Sequence, residues 1–273
     1  EKINRLTPTI IEVIVKAPAQ ARKFEPGQFY RVQNLESLAP TIKGTVLAAE
    51  GPALTGAWVD KEKGLISLIA LEMGSSSRLC SLWKKGDPLV VMGVTGAPTD
   101  IPEGKNVMLV GGGLGNAVQF SIGKALRANG NRVIYFAGYK NPTDVFKVED
   151  IEAASDVIVW AVDPAPGVEP IPITRPQDRS MVGNILQAIE AYGRGELGEP
   201  EIALSDVDHM IVIGSDRMMS AVKEARNGRL QDLFKPDHVA IGSINSPMQC
   251  MMKGVCAQCL CKHIDPHTQE EYF

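Results

Sequence analysis

The sequence has no uninterrupted apolar run of the roughly 18 residues that a membrane-spanning helix requires. It also has no charged segment followed by an apolar one at its start, which is the pattern of a signal peptide. Lys and Arg do not cluster, and the formal net charge is −4. Phosphate binding needs concentrated positive charge, so this balance argues against a nucleic-acid surface. These absences predict a cytoplasmic protein with no membrane span and no nucleic-acid partner.

Internal repeats and low-complexity segments are absent as well. The 273 residues are 44% hydrophobic and 22% charged, an ordinary globular balance, and they suffice for two domains. The chain begins at Glu1 without a methionine and stops at Phe273. We therefore expect a piece of a longer polypeptide.

Cysteine is scarce, and its placement is uneven. Four of the five cysteines, Cys250, Cys256, Cys259 and Cys261, stand close together near the end of the chain, separated by five, two and one residues. Clustered thiols in a chain of this size indicate metal ligands in a reducing compartment rather than disulfides. The spacing resembles the opening of a plant-type iron–sulfur loop, which has four residues and then two. Soft sulfur ligands also suit zinc and Cu(I), so the cysteines alone leave zinc open.

Residues 1–98 have the pattern of short strands separated by turns. The predicted strands are rich in β-branched residues and often alternate: Thr9–Val15, Gln28–Val32, Ile42–Leu47, Leu65–Leu71 and Pro88–Val94. Strands at this spacing predict a small antiparallel barrel. The prolines and glycines of Gly96–Gly104 then predict a linker and a domain boundary.

Residues 104–245 alternate between strands and helices. Strands are predicted at Asn106–Val110, Arg132–Gly138, Asp156–Ala161 and His209–Gly214, and helices at Val118–Asn129, Val182–Tyr192 and Met218–Leu230. Apolar strands separated by helices predict a parallel sheet covered on both faces.

A glycine-rich turn, Gly111–Ala117, follows the first of these strands and opens a helix. Such a turn lets the backbone approach a pyrophosphate at a helix N-terminus. The match to the dinucleotide fingerprint is partial, because Asn116 replaces the third glycine and Gly115 lies beside it. The usual acidic residue after the second strand is also missing, since Tyr139 and Lys140 stand there. A nucleotide site is predicted, with a plain tight turn of an α/β sheet as the alternative.

The order of barrel, strand–GGGxG–helix unit, late strand ending in glycine and cysteine loop resembles the ferredoxin reductase-like flavoproteins. It is similar above all to the iron–sulfur electron-transfer subunit of dihydroorotate dehydrogenase and to the small subunit of NADH-dependent ferredoxin:NADP oxidoreductase. Glu25–Phe29 resembles the barrel signature of that family and Val110–Gly115 its nucleotide loop. The resemblance implies an α+β two-domain fold: an antiparallel β-barrel that binds FAD, a parallel α/β domain that binds NAD(P)H, and a C-terminal loop that binds a [2Fe–2S] cluster.

For the flavin, the resemblance implies two segments. Leu54 and Thr55 match the end of the first flavin motif, with the Thr55 hydroxyl near flavin N5, whereas Gly51 stands in place of the motif's arginine. The second segment, which would surround the pyrophosphate, is Gly74, Ser75, Ser76 and Ser77. Arg78 is a candidate replacement for the missing cation, and helix capping is the alternative role of the serines.

For NAD(P)H, the resemblance implies contacts from two segments. The pyrophosphate would face Gly111, Gly112, Gly113, Leu114, Gly115 and Asn116. The late segment beside the nicotinamide would be Gly214, Ser215 and Asp216. We expect Asp216 to cap the next helix rather than to do chemistry. NADH and NADPH both stay open.

For the cluster, the resemblance implies three ligands in residues 246–273, Cys250, Cys256 and Cys259. The fourth ligand is expected beyond Phe273, with Cys261 as the other candidate. Cys80 is expected to be a small packing residue.

Together these features predict a module that passes electrons between NAD(P)H, FAD and a [2Fe–2S] cluster to a partner subunit or fused domain. Its chemistry would be placement of cofactors, so no catalytic side chain is predicted. Two alternatives stay open: a non-catalytic reductase-like scaffold with a structural zinc at the cysteines, and a lone reductase acting on a small molecule. The acceptor, the direction of electron flow and the assembly are not fixed by the sequence.

Overall fold

The computed structural model describes residues 1–49, 51–243, 262–265 and 267–272. Within these residues, two six-stranded sheets and two small ribbons account for the strands. The strands of the N-terminal part are β1 (Lys2–Arg5), β2 (Ile10–Lys16), β3 (Phe29–Asn34), β4 (Thr41–Ile42), β5 (Thr45–Val46), β6 (Ala53–Asp60), β7 (Leu65–Leu71) and β8 (Leu89–Thr95). The later strands are β9 (Asn106–Gly112), β10 (Arg132–Tyr139), β11 (Val157–Val162), β12 (Arg179–Val182), β13 (His209–Ile213), β14 (Val239–Ser243), β15 (His263–Ile264) and β16 (Glu271–Tyr272). The helices are α1 (Pro18–Lys23), α2 (Ser75–Leu79), α3 (Asn116–Ala128), α4 (Val148–Ala153), α5 (Ile185–Gly193) and α6 (Asp216–Asn227).

The N-terminal sheet is antiparallel throughout, as predicted, with the strand order β1-β2-β7-β6-β3-β8. Alternate side chains of β2 and β7, such as Val13 and Leu68, point into one apolar core together with Tyr30 of β3. The ladders run from β1 at one end to β8 at the other, and closure of the sheet into a barrel stays a prediction.

Two details of this sheet differ from the sequence-based expectation. The segment predicted as one strand over Ile42–Leu47 is instead the exposed hairpin β4–β5, because Lys43 and Gly44 adopt positive φ angles of 49° and 80° and reverse the chain. Strand β6 was not predicted, and a glycine interrupts its apolar pattern. An ideal Cβ on Gly56 would lie 2.7 Å from the ring of Phe24, so this glycine permits a close approach within a strand.

The second sheet is parallel, as predicted, with the order β12-β11-β10-β9-β13-β14. Strands β12 and β14 lie at its two edges and were not predicted. Helix α5 begins after Asn184 rather than at Val182, since the Asn184 side chain accepts hydrogen bonds from the N–H groups of Leu186 (3.0 Å) and Gln187 (3.1 Å). None of the described helices is both long and apolar enough to cross a lipid bilayer.

Helix α3 joins the two sheets. Its buried residues Ala117 and Phe120 belong to the same apolar cluster as Val107 of β9, and that cluster also contains Ala57 of β6 and Ile69 of β7. The two halves of the chain therefore share one continuous core at this helix.

Candidate functional site

The carboxyl ends of β9 and β13 lie side by side in the parallel sheet, and the place where Gly112 and Gly214 meet is here called the crevice. After β9 the chain adds β10, β11 and β12 on one side of that strand. It then returns to the other side of β9 and adds β13 and β14. This reversal of strand order is a topological switch point, where open α/β sheets bind ligands outside the carboxyl ends of their strands. The predicted glycine turn follows β9 and the predicted late segment follows β13, so the structure brings these two segments together.

Backbone approaches backbone closely in this crevice. An ideal Cβ on Gly112 would lie 3.8 Å from the Cα of Gly214, and one on Gly214 would lie 3.5 Å from the Cα of Gly112. The side chain of Met218, in the first turn of α6, fills the space above both glycines, with Sδ 2.4 Å from the ideal Cβ position of Gly112. Side chains at these glycines would displace Met218.

Gly115 provides the close contact between helix and strand that the third glycine of the fingerprint normally allows. An ideal Cβ on Gly115 would lie only 2.3 Å from the carbonyl oxygen of Ile213 in β13. Since that oxygen is part of the backbone, no side-chain rotation could relieve the clash. Glycine is therefore required at this position, one residue before the expected one. Gly113 has a φ of 54° and also favours glycine.

Asn116, which replaces the third glycine, is completely buried and ties the turn together. Its Nδ2 donates to the carbonyl oxygen of Gly113 (2.9 Å), and its Oδ1 accepts from the Tyr135 hydroxyl (3.0 Å). An ideal Cβ on Gly111 would lie 2.1 Å from Asn116 Oδ1, so Gly111 makes room for this amide. The buried side chain of Asn116 thus fixes the conformation of the glycine turn through these hydrogen bonds. Leu114, within the same turn, packs partly buried against the shared core.

The late segment corrects one prediction. Ser215, not Asp216, is the N-cap of α6: its side chain accepts a hydrogen bond from the N–H of Met218 at 3.2 Å. Asp216 is the first residue of the helix and is exposed. An acidic residue in the first turn interacts favourably with the helix dipole without capping the helix.

The flavin motif expected at Leu54 and Thr55 lies on β6, where the two side chains point to opposite faces. Leu54 pairs with Tyr30 across the β3–β6 ladder, and both belong to the core of the N-terminal sheet. Thr55 pairs with Phe29 and lies on the other face. Thr55 is 5% exposed, and Ile69, its partner on β7, belongs to the core shared with α3, so this second face is buried as well.

The second flavin segment forms the N-terminus of α2, a single short turn. The Ser77 hydroxyl accepts a hydrogen bond from the N–H of Gly74 at 3.0 Å, so Ser77 has the capping role that was the alternative for these serines. Ser75 is exposed and Ser76 half-buried. Cys80 follows as a buried packing residue, as predicted, and burial raises the pKa of its thiol to about 12.

Arg31 of β3 is a site residue that the sequence-based analysis missed. The Arg31 side chain is 5% exposed, and its Nε donates to the carbonyl oxygen of Gly51 at 2.6 Å. Its Nη1 is buried and has no hydrogen-bond partner among the described residues. A buried guanidinium with an unused donor fits an anionic ligand, which is the property that the flavin site needs. The available signal was a charged residue between two apolar ones, Tyr30 and Val32, in a predicted strand.

The four cysteines of the predicted cluster, Cys250, Cys256, Cys259 and Cys261, lie outside the described residues. In the part of the chain that the structure describes, no group of three or more His, Cys, Asp or Glu side chains is arranged to hold a metal ion. The metal centre predicted at those four cysteines therefore remains a prediction.

Comparison with known proteins places the chain among redox proteins. It is 29% identical over 166 residues to a protein of Thermotoga maritima named as a homologue of the electron transfer subunit of dihydroorotate dehydrogenase B (NAD(+)), a match that covers 60% of this chain and 55% of that protein. It is 24% identical to the subunit itself from Bacillus cereus, over 98% of this chain and 86% of the subunit. An uncharacterized protein of Rickettsia prowazekii is 29% identical over 96% of this chain. The chain spans only 27% of the length of that Rickettsia protein. No family model matches the sequence.

Solved structures agree with these relatives at the level of the fold. The structure of NADH-dependent reduced ferredoxin-NADP oxidoreductase superimposes with a TM-score of 0.69 at 24% identity, covering 90% of this chain and 75% of that one. The ferredoxin reductase of carbazole 1,9a-dioxygenase gives a TM-score of 0.60 at 21% identity, covering 88% of this chain and 66% of that one. The relatives and neighbours whose names state an activity are oxidoreductases, as predicted. The resemblance seen in the sequence is therefore confirmed: the chain is similar to dihydroorotate dehydrogenase B electron transfer subunits and has the fold of the ferredoxin reductase-like flavoproteins.

Proposed function

We propose that this chain is an NAD(P)H-linked electron-transfer module that passes electrons between NAD(P)H, FAD and a [2Fe–2S] cluster, and onward to a redox partner. The observation that carries the proposal is the crevice at the switch point, where Gly112 and Gly214 contribute no side chains and the Met218 side chain lies over both glycines. Such a crevice admits a dinucleotide close to the main chain.

In this proposal the nucleotide binds across the ends of β9 and β13. The backbone N–H groups at the start of α3 bind the pyrophosphate, which the helix dipole also favours. Gly214, Ser215 and Asp216 lie beside the nicotinamide, and Met218 moves aside or packs against the ring. Asn116 and Tyr135 keep the turn in place from the buried side.

The flavin lies against the outer face of β3 and β6. Thr55 offers its hydroxyl to the ring, the backbone of Leu54 lies alongside, and residues 74–77 with their N–H groups lie near the phosphates. The chemistry that bound FAD supplies is the conversion of hydride transfer into single-electron transfer. The chain itself positions the two cofactors and excludes water, for which no acid or base is needed.

The cysteine segment, residues 246–273, completes the module in this proposal. Cys250, Cys256 and Cys259 hold the [2Fe–2S] cluster, with a fourth ligand beyond Phe273 or at Cys261. Residues 1–98 form the flavin domain and residues 104–245 the nucleotide domain. Because relatives are longer than this chain, the redox partner is either a fused domain of a longer polypeptide or a subunit of a hetero-oligomer.

The test is a visible spectrum of the complete protein, purified anaerobically, with iron, sulfide, zinc and flavin assays on the same sample. We expect flavin bands and broad iron–sulfur absorption, both bleached by NADH or NADPH. A colourless protein with one zinc per chain would instead establish the scaffold alternative. Flavin without iron would leave a lone reductase and remove the cluster from the proposal.

A further inference from the structure

Arg31 combines a positive charge with nearly complete burial. It lies on β3 between Tyr30 and Val32, both of which are fully buried in the core of the N-terminal sheet. Its Nε donates to the Gly51 carbonyl oxygen (2.6 Å), whereas its Nη1 is buried without a hydrogen-bond partner among the described residues. The described residues thus use only part of this guanidinium.

No ion pair of the described residues includes Arg31. A buried charge is unfavourable unless an opposite charge compensates it, and a guanidinium pairs best with carboxylates and phosphates. The environment of Arg31 therefore favours an anionic ligand.

Arg31 lies on the same face of the sheet as Thr55. Across the β3–β6 ladder Arg31 pairs with Ala53 and Phe29 pairs with Thr55, while the intervening pair, Tyr30 and Leu54, points into the core. Alternation along the strands places Arg31 and Thr55 on the opposite face, diagonally across the ladder, where both are 5% exposed. This is the face to which the flavin is assigned above.

Gly51 accepts the hydrogen bond from Arg31 through its carbonyl oxygen and has a φ of 72°, which favours glycine. An ideal Cβ on Gly51 would crowd Met92 Cε (3.2 Å) and Gln33 Oε1 (3.3 Å), whereas Arg31 Nε, at 3.8 Å, would be in ordinary van der Waals contact with it. The backbone conformation at residue 51 thus favours the residue without a side chain, and Arg31 is the cation beside it.

We propose that Arg31 binds the pyrophosphate of FAD and replaces, from the neighbouring strand, the arginine that position 51 lacks. This inference rests on the proposed function. The pyrophosphate carries the full negative charges of FAD, whereas the oxidised ring is neutral, so the buried charge selects the phosphate end. Arg78, the cation suggested by the sequence, is exposed, and its Nε lies 3.4 Å from the Glu72 carbonyl oxygen.

The test compares the binding of FAD and of riboflavin, which lacks phosphate, to the flavin-free form of the complete protein. Flavin fluorescence is measured for the wild type, Arg31→Gln and Arg22→Gln, the last being an exposed arginine of α1 that serves as the matched control. Loss of a charge-assisted contact weakens binding by roughly ten- to a hundredfold. We expect this loss in Arg31→Gln for FAD only, with riboflavin affinity unchanged and Arg22→Gln like the wild type.

The outcomes separate the two proposals. If the wild type binds neither flavin, the proposed function fails. If the wild type binds FAD and Arg31→Gln binds it equally well, the role of Arg31 is wrong while the proposed function stands. Equal losses for FAD and riboflavin would also overturn the phosphate assignment. Should Arg31→Gln not fold, Arg31→Met enters the same comparison, because methionine fills apolar space without the charge; unchanged FAD affinity in that variant overturns the assignment.

Discussion

The ammonium of Lys147, at the start of α4, lies 2.9 Å from the carboxylate of Glu12 on β2. Glu12 is almost completely buried and also accepts hydrogen bonds from Asn4 Nδ2 (2.7 Å), Ser67 Oγ (2.6 Å) and Trp58 Nε1 (3.1 Å). Lys147 belongs to the half with the parallel sheet and Glu12 to the half with the antiparallel sheet. The pair therefore holds the two halves together at a polar point beside their shared apolar core.

We expect Glu12→Gln to lower the free energy of unfolding by roughly 2 to 4 kcal/mol at neutral pH, because glutamine removes the charge that pairs with Lys147 and replaces one acceptor oxygen with an NH2 donor. Urea denaturation measures this loss. Glu36→Gln, at an exposed carboxylate of the same half, is the control and should change little. Equal effects of the two substitutions would show that the buried pair contributes nothing special.

The effect of Glu12→Gln should also depend on pH. Burial raises the pKa of Glu12, but hydrogen bonds from Ser67, Lys147 and Asn4 outweigh it and bring the pKa below the ordinary value of 4.5. The carboxylate thus stabilises the fold fully above pH 4.5, and this contribution disappears as the pH falls through the lower folded-state pKa. Wild type and Glu12→Gln should therefore converge in stability as the pH falls from 4.5 through the lower folded-state pKa of Glu12. A stability difference that stays constant throughout the acid range would contradict the assignment.

Gly115→Ala and Gly112→Ala add the same methyl group but should differ in their effect on protein stability. At Gly115 the new methyl group meets the immobile Ile213 carbonyl oxygen, whereas at Gly112 it meets the flexible Met218 side chain. We expect Gly115→Ala to lose about 1 to 3 kcal/mol of stability and its NAD(P)H binding. Gly112→Ala should fold normally and lose mainly affinity.

Adding Met218→Ala to Gly112→Ala removes the thioether that the methyl group would strike. Thermal unfolding and nucleotide titration of the single and double variants measure both effects. Equal destabilisation by the two alanines would mean that the Ile213 contact does not set the requirement for glycine.

Substitution of the loop cysteines should distinguish those that bind the iron–sulfur cluster from those that do not. Cys259→Ser is expected to lose the cluster, whereas Cys261→Ser should keep it, because the resemblance to the reductase family gives that position no ligand. Iron and acid-labile sulfide per chain measure the result in the complete protein. Loss of iron in both variants would make Cys261 the fourth ligand instead.

Cys80 should be unreactive in the folded protein. Burial raises the pKa of its thiol to about 12, so near pH 8 the nucleophilic thiolate is scarce and also shielded. Alkylation with iodoacetamide followed by peptide mass spectrometry should label Cys80 only after denaturation. Labelling of the native protein at the rate of an exposed thiol would show that the segment after α2 opens.

Much of the architecture followed from the sequence, because apolar alternation and strand–helix alternation report burial directly. The glycine turn was found for the same reason: it follows a strand and precedes a helix. The hairpin β4–β5 was mistaken for one strand since its reversal at Lys43 and Gly44 needs only two residues. The ion pair between Lys147 and Glu12 has no signal in the sequence, because the two residues are far apart in the chain.

Arg31 shows a similar limit of sequence analysis. Its importance depends on burial and on the absence of a side chain at Gly51, 20 residues away, and neither is visible in a strand pattern. The cap of α6 was assigned to Asp216 instead of Ser215, since neighbouring residues with good capping side chains cannot be ranked without backbone angles.

Helix α3 begins at the glycine turn and packs against β6, which carries Thr55, within one uninterrupted apolar cluster. Independent hinge motion of two halves requires an interface that can part, and a shared core cannot part without exposing apolar surface to water. Access of a ligand to the crevice would therefore need only small rearrangements, such as a change of rotamer at Met218, while the two sheets keep their separation.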